Sequence, residues 1–285
     1  MRNKKEFDSI VFDIDNVIAD TRFSYTDCIR ETVQTYLARY FKLKPSQTFL
    51  LSKKDVEYFK LLGGFNDDWD TCYGLLLYIL FCKRDFSGRP SKLSTSLTRF
   101  LKKVKSPLYV QGIEKICGKN KRVSLLKISR IFQKLYWKKY INRESLIIPK
   151  TVFKKLRYRG IKLGIATGRT KKEANYVLKK FGIRGFIGQM ICSDHLSNKK
   201  LKKPHPYSLL VIGNRYGENA HYLYIGDLPD DMQMARRASK KMNIECWGFM
   251  ALSSDQIKMR KALKKAGAKQ VIKSKSELVQ LLSCL

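Results

Sequence analysis

The stretch that most constrains this chain is Phe7-Asp8-Ser9-Ile10-Val11-Phe12-Asp13-Ile14-Asp15-Asn16-Val17-Ile18. Ile10, Val11 and Phe12 form a short apolar run of β-favouring residues, the pattern of a buried strand. The run ends in two aspartates one residue apart, followed by Asn16, a residue that tolerates a turn with positive φ. Open α/β sheets place their ligands at the carboxyl ends of strands. Alternation along a strand lets Asp13 and Asp15 reach one crevice while Ile14 packs the other way. Two carboxylates so close repel unless they share a cation or one holds a proton. A hard ion such as Mg2+ suits these oxygen donors. A strand ending in a solvated polar turn fits the same residues, so the choice depends on partners further along the chain.

From Pro149 onward, strands and helices alternate. Thr151 to Tyr158 has helical spacing and Gly160 stops it. Residues 161–166, 189–192, 222–225 and 244–249 have the character of strands, with helices over about 204–215, 229–239 and 254–266. A last strand near Val271 and a C-terminal helix complete the pattern. Such alternation predicts an α/β fold, a doubly wound parallel sheet. The first strand joins that sheet most simply, so residues 1–20 and 150–285 form one core. Residues 21–149 are then an insertion placed directly after the aspartate pair.

That insertion carries helical signals and no convincing strand. Residues 21–41 have apolar residues at helical spacing, and Pro45 and Ser46 end the segment. A Gly/Pro break at 87–91 precedes a short basic helix over 93–104. A longer amphipathic helix spans 124–140, with Leu125, Ile128, Ile131, Phe132, Leu135 and Tyr136 as its apolar face. Between the breaks at 45–46 and 87–91, Gly63-Gly64-Phe65-Asn66-Asp67-Asp68-Trp69 is dense in polar and aromatic groups. Asn66, Asp67 or Asp68 can cap the helix that follows, which leaves the others available to a ligand.

Composition narrows the class. The 285 residues are 44% hydrophobic, enough for a packed core and too apolar for general disorder. Fifty-eight basic residues against 24 acidic ones give a net charge of +34, a balance that suits polyanion binding. Yet the basic residues are spread along the chain, which favours a lysine-rich solubilising surface with at most non-specific polyanion contact. The seven cysteines are widely spaced with no CxxC pair, against a disulfide framework and in favour of a reducing compartment. Aspartates interrupt the N-terminal apolar run, unlike a signal peptide. The longest apolar run, residues 73–82, is about half a bilayer span. A soluble, cytoplasmic protein without a membrane segment is expected.

Three later sites supply partners for the aspartates. Thr167-Gly168-Arg169 follows the strand over 161–166, where a hydroxyl and free amides at a helix start can hold a phosphate. Lys203-Pro204 opens a helix and brings a cation. Gly226-Asp227-Leu228-Pro229-Asp230-Asp231 follows the strand over 222–225; Asp227 occupies the place that Asp13 has on its own strand, and Asp231 lies one turn on. Helix capping explains one of these acids but not all three. His195, His205 and His221 have no metal-ligand spacing.

In this order the four sites resemble the haloacid dehalogenase superfamily, subfamily IA-like with a C1-type helical cap. Asp13-Ile14-Asp15 matches the family's DxD motif, Thr167 its Ser/Thr motif, Lys203-Pro204 its lysine motif, and Gly226-Asp227 to Asp231 its acidic motif. The resemblance covers residues 7–20 and 150–250. Asn16 and Val17 stand where the family usually has Gly-Thr, which leaves the carboxylates in place but removes a hydroxyl. The resemblance implies a Mg2+-dependent phosphatase acting on a small phosphorylated metabolite through an aspartyl-phosphate intermediate. Asp13 would be the nucleophile and Asp15 the acid and base. Thr167, Gly168, Arg169 and Lys203 would hold the phosphoryl group, and Asp13, Asp15, Asp227 and Asp231 the metal or its waters. Asn66, Asp67, Asp68 and Trp69 of the insertion would read the rest of the substrate. A phosphomutase or phosphonate hydrolase would keep Asp15 as well, and a nucleic-acid-binding protein on the same scaffold is the rival that the charge suggests.

Overall fold

The computed structural model describes residues 6–42, 49–82, 97, 99–100, 103–104 and 108–285. Pro45 and Ser46, the break at 87–91 and most of the helix expected over 93–104 lie outside these residues. Two compact units result, one of Met1–Asp20 with Ser145–Leu285 and one of Thr21–Glu144.

The first unit is built on a six-stranded parallel sheet. Its strands are β1 (Ser9–Phe12), β4 (Lys162–Ala166), β5 (Gln189–Ile191), β6 (Tyr222–Gly226), β7 (Ile244–Phe249) and β8 (Gln270–Ile272). Their spatial order is β5-β4-β1-β6-β7-β8. β1 is central: Ile10 lies opposite Leu163 of β4 and Leu223 of β6, and Phe12 opposite Ile165 and Ile225. All four residues of β1 are buried, as a strand covered on both faces requires. The chain order reverses across β1, and this switch point is where such sheets leave a crevice at their carboxyl edge.

The helices of this unit are α6 (Lys150–Tyr158), α7 (Lys171–Lys180), α8 (Tyr207–Tyr216), α9 (Pro229–Ala238), α10 (Gln256–Ala266) and α11 (Lys275–Cys284). A capping box at Thr170 and Glu173 starts α7, and Pro229 occupies the first turn of α9, where no amide donor is needed. Phe12, Phe153, Ile165, Ile225 and Trp247 belong to one apolar core.

One short strand, β3 (Ser145–Leu146), departs from the all-helical expectation for residues 21–149. β2 (Ala19–Asp20) pairs antiparallel with β3, and β3 places residues 145–149 in the first unit. Two residues are too few for any alternation to show in a sequence.

The second unit is helical: α1 (Tyr25–Phe41), α2 (Lys53–Lys60), α3 (Asp68–Phe81), α4 (Tyr109–Cys117) and α5 (Leu125–Leu135). Every residue of α3 from Thr71 to Ile79 is buried, so this helix is the unit's central one. Phe59, Phe65, Tyr78, Phe132 and Tyr136 belong to its core. The helix expected over 124–140 changes at Leu135 into a π-helical turn, Tyr136–Tyr140. There the Tyr136 hydroxyl donates to buried Glu144 (2.7 Å) and that of Tyr140 to Glu31. Among the described residues, no helix is long and apolar enough to cross a membrane.

Candidate active site

Asp13 is the first residue after β1, and its amide continues the sheet by donating to the Ile225 carbonyl at 2.9 Å. Its Oδ1 accepts from the Ile14 amide (2.8 Å), while Oδ2 lies 3.0 Å from the Lys203 ammonium. Asn16 adopts the left-handed conformation at φ 53°. The turn closes with the amides of Ile18 and Ala19 donating to the Ile14 carbonyl, each at 2.9 Å. In place of the family's usual glycine, Asn16 also brings an amide that donates to Asp227 Oδ2 at 3.0 Å.

β4 delivers Thr167, whose amide donates to Ile191 of β5 (3.0 Å) and whose hydroxyl accepts from the Arg169 amide (3.3 Å). Gly168 is exposed at this turn. The Arg169 side chain is buried and turns back to Asp15: Nε and one terminal nitrogen donate to the same oxygen, Oδ1, at 3.1 and 2.7 Å.

β6 delivers Asp227, and the first turn of α9 delivers Asp231. Asp231 is fully buried. Its Oδ2 accepts from the amides of Asp227 (3.2 Å) and Leu228 (3.0 Å). Its Oδ1 accepts the Tyr224 hydroxyl (2.8 Å) and lies 2.8 Å from Lys203. Four donors thus surround this one carboxylate, which fixes the loop carrying Asp227 and spaces Lys203 from Asp13. Gly226 permits the approach: a Cβ there would lie 2.4 Å from the Asp231 Cβ.

Burial and charge compete at this cluster. Burial raises the Asp13 carboxyl most, Lys203 lowers it, and the charges of Asp231 and Asp15 raise it again, to about 7. Burial by itself would lower the Lys203 ammonium, but Asp13 and Asp231 more than offset it and hold it above its ordinary range. The Tyr224 phenol is pushed well up by burial, then by Asp231 and Asp13.

Oxygens of Asp13, Asp227 and Asp231 lie within 4.8 Å of one another. With Asp15 they make four carboxylates facing the two cations Lys203 and Arg169. A proton on Asp13 or a bound cation must restore the balance. The donors are all oxygen, the set that Mg2+ takes, so the residues fit that ion. Each Asp231 oxygen already takes two donors, against one on each oxygen of Asp13, so Asp13 and Asp227 are the carboxylates best able to serve as direct ligands.

The structure therefore gathers Asp13, Asp15, Thr167, Gly168, Arg169, Lys203, Asp227 and Asp231 along the carboxyl edge of β4, β1 and β6. In the helical unit, Asp67 caps α3 by accepting from the amides of Trp69 (2.9 Å) and Asp70 (3.2 Å). Asp68 pairs with Lys60 at 2.6 Å, and Trp69 packs partly buried against the unit's core. Asn66 is half-buried, and its side chain makes no hydrogen bond among the described residues. Sequence reasoning missed Tyr224, the role of the Asn16 amide and the partner of Arg169.

A haloacid dehalogenase-like hydrolase family model matches residues 7–239. Among curated relatives, an imidazoleglycerol-phosphate dehydratase of Phytophthora nicotianae is 24% identical over 231 residues, 81% of this chain and 41% of that protein. A phosphoglycolate phosphatase of Xanthomonas campestris pv. campestris (strain 8004) is 29% identical over 107 residues, 37% of this chain and 47% of that one. The chain thus spans less than half the length of both relatives. Among solved structures, a predicted phosphoglycolate phosphatase from Haemophilus somnus 129pt shares the fold at a TM-score of 0.63 and 15% identity, covering 98% of this chain and 99% of that one. With the family match running from before β1 to just past α9, the chain belongs to the haloacid dehalogenase-like hydrolases.

Proposed function

We propose that this chain is a Mg2+-dependent phosphatase that hydrolyses a small phosphomonoester through an aspartyl-phosphate on Asp13. One observation carries the reading: a buried carboxylate at the end of β1 has a second, accessible carboxylate two residues on, with a hydroxyl and an ammonium beside them. Asp13 attacks phosphorus while Asp15 protonates the departing alcohol oxygen. Asp15, now a carboxylate, takes a proton from water, and the water oxygen displaces Asp13 from phosphorus. Thr167, the Gly168 amide and Lys203 hold the remaining phosphoryl oxygens. Asp13 and Asp227 would hold Mg2+, which when bound neutralises charge on the transferring group. Asp231 orders the Asp227 loop and Lys203 and is not itself a reacting group.

Choice among substrates belongs to the 63–69 segment, because the core residues address only the phosphoryl group. Asp67 and Asp68 are committed within their own unit, so Asn66 and Trp69 are the residues we assign to the leaving group. The relatives named phosphoglycolate phosphatase make 2-phosphoglycolate the first compound to assay. Phosphate release should require Mg2+, vanish in excess chelator and be lost in Asp13→Asn, since an amide is a poor nucleophile. Full activity in that variant, or isomerised product without free phosphate, would overturn the reading.

A further inference from the structure

The sequence groups Arg169 with the phosphoryl ligands, but its geometry assigns it elsewhere. Two donors of the guanidinium converge on one oxygen, Asp15 Oδ1, at 3.1 and 2.7 Å. The Arg169 side chain is 1% exposed and that of Asp15 is 29%. The arginine backbone is tied at both ends, its amide to the Thr167 hydroxyl and its carbonyl to the Ser193 amide (2.9 Å). Asp15 Oδ2, by contrast, has no hydrogen-bond partner among the described residues.

We infer that Arg169 is the positioning residue of Asp15, holding Oδ1 so that Oδ2 alone carries the transferred proton. The inference rests on the phosphomonoester reading and deepens it. In the first half-reaction the ester P–O bond breaks, a bond from Asp13 to phosphorus forms, and the proton on Oδ2 passes to the alcohol oxygen. In the second, water gives its proton back to Oδ2 as its oxygen bonds phosphorus and Asp13 leaves. Oδ1 remains an acceptor in both, so the arginine contact persists whether Oδ2 is protonated or not. Two donors of a rigid guanidinium hold the position of that one oxygen in a way that a flexible ammonium does not.

The test compares two substrates that differ in their need for the proton. Glycolate leaves 2-phosphoglycolate as an alkoxide and needs it, whereas p-nitrophenolate leaves p-nitrophenyl phosphate without it. In Arg169→Met, kcat for 2-phosphoglycolate should fall about 30-fold or more, part of the 10²–10⁴ that a placed acid–base group contributes. The first-turnover burst of p-nitrophenolate should change by less than about threefold, with the dissociation constants of both substrates within about the same factor. On an Asp15→Asn background, Arg169→Met should cost little more, because two residues acting through one step are not additive. Arg169→Lys, which keeps the charge and loses the fork, should show the same pattern and serves if the methionine variant fails to fold. A rise in the dissociation constants of both substrates with kcat kept would make Arg169 a phosphoryl ligand and overturn the inference, as would full additivity with Asp15→Asn. A wild-type protein that releases phosphate from neither compound overturns this inference and the phosphatase reading together; hydrolysis of both with equal losses in the first-turnover phase of the variant overturns the arginine's role alone.

Discussion

Gly226→Ala tests whether the Asp231 carboxylate organises the site. The added Cβ would lie 2.4 Å from Asp231 Cβ, 2.6 Å from Cγ and 2.7 Å from Oδ2. Real Cβ atoms do not approach so closely, so something must move. The carboxylate cannot rotate away freely, because Tyr224, Lys203 and the amides of Asp227 and Leu228 hold it at 2.8 to 3.2 Å. Overpacking of this kind costs about 1–3 kcal/mol. A displaced carboxylate also leaves a buried donor unsatisfied, at about 1–3 kcal/mol for each group. The expected loss is about 2–6 kcal/mol, which at about 2–4 °C per kcal/mol lowers Tm by roughly 10 °C. Gly185→Ala is the control, since its added Cβ meets nothing within 4 Å. Thermal melting followed by circular dichroism, with calorimetric Mg2+ titration, reads both halves of the effect. A Gly226→Ala protein that melts within about 1 °C of wild type and binds Mg2+ as tightly would show that the Asp231 contact does not set the geometry.

Two further outcomes follow from the same residues. Without metal, the Asp13 carboxyl of the folded chain titrates at about 7 against 3.8 ordinarily. Between these values the folded state holds a proton that the unfolded chain has lost, so Asp13 makes stability fall as pH rises through that window. Mg2+ should then displace up to one proton below pH 7, which calorimetry in buffers of different ionisation enthalpy detects; zero proton release at pH 6 would remove Asp13 from the ligand set. In the helical unit, Asp67→Ala should cost about 1 kcal/mol of stability through the lost cap and leave relative kcat/KM values alone. Asn66→Ala should do the reverse, and unchanged substrate ratios in Asn66→Ala would place specificity outside the 63–69 segment.

The fold was legible because its signals are local. Ile10-Val11-Phe12, Leu163 to Ala166 and Tyr222 to Ile225 are apolar runs of strand length, and each ends in a residue of the site. Right-handed crossovers between successive parallel strands then leave few topologies to choose from. What escaped was either too short or too dependent on neighbours. β2 and β3 are two residues each, and their pairing joins positions 19 and 146. The π-helical turn at Tyr136–Tyr140 keeps the helical spacing of apolar residues, so a periodicity reading runs through it unbroken.

The site was legible as a set of residue types and illegible as a set of contacts, and the difference has a physical cause. A carboxylate at a strand end announces itself, because burying charge there needs a reason. Tyr224 announces nothing: within Tyr222-Leu223-Tyr224-Ile225 it is one more β-favouring aromatic, and only the folded chain shows its hydroxyl on Asp231. Arg169 and Asp15 are 154 positions apart, and the turn after β4 gives no hint of which anion the guanidinium meets. Asn16 illustrates the same limit at short range. Its left-handed conformation follows from residue type and turn position, yet its amide reaches Asp227, 211 residues away. In a chain of net charge +34, these acids stay clustered because each has a specific donor: Arg169 for Asp15, Asn16 for Asp227, and Tyr224 and Lys203 for Asp231. Asp13 shares its cation with Asp231, which makes it the carboxylate whose charge remains to be met by a proton, a metal ion or phosphorus.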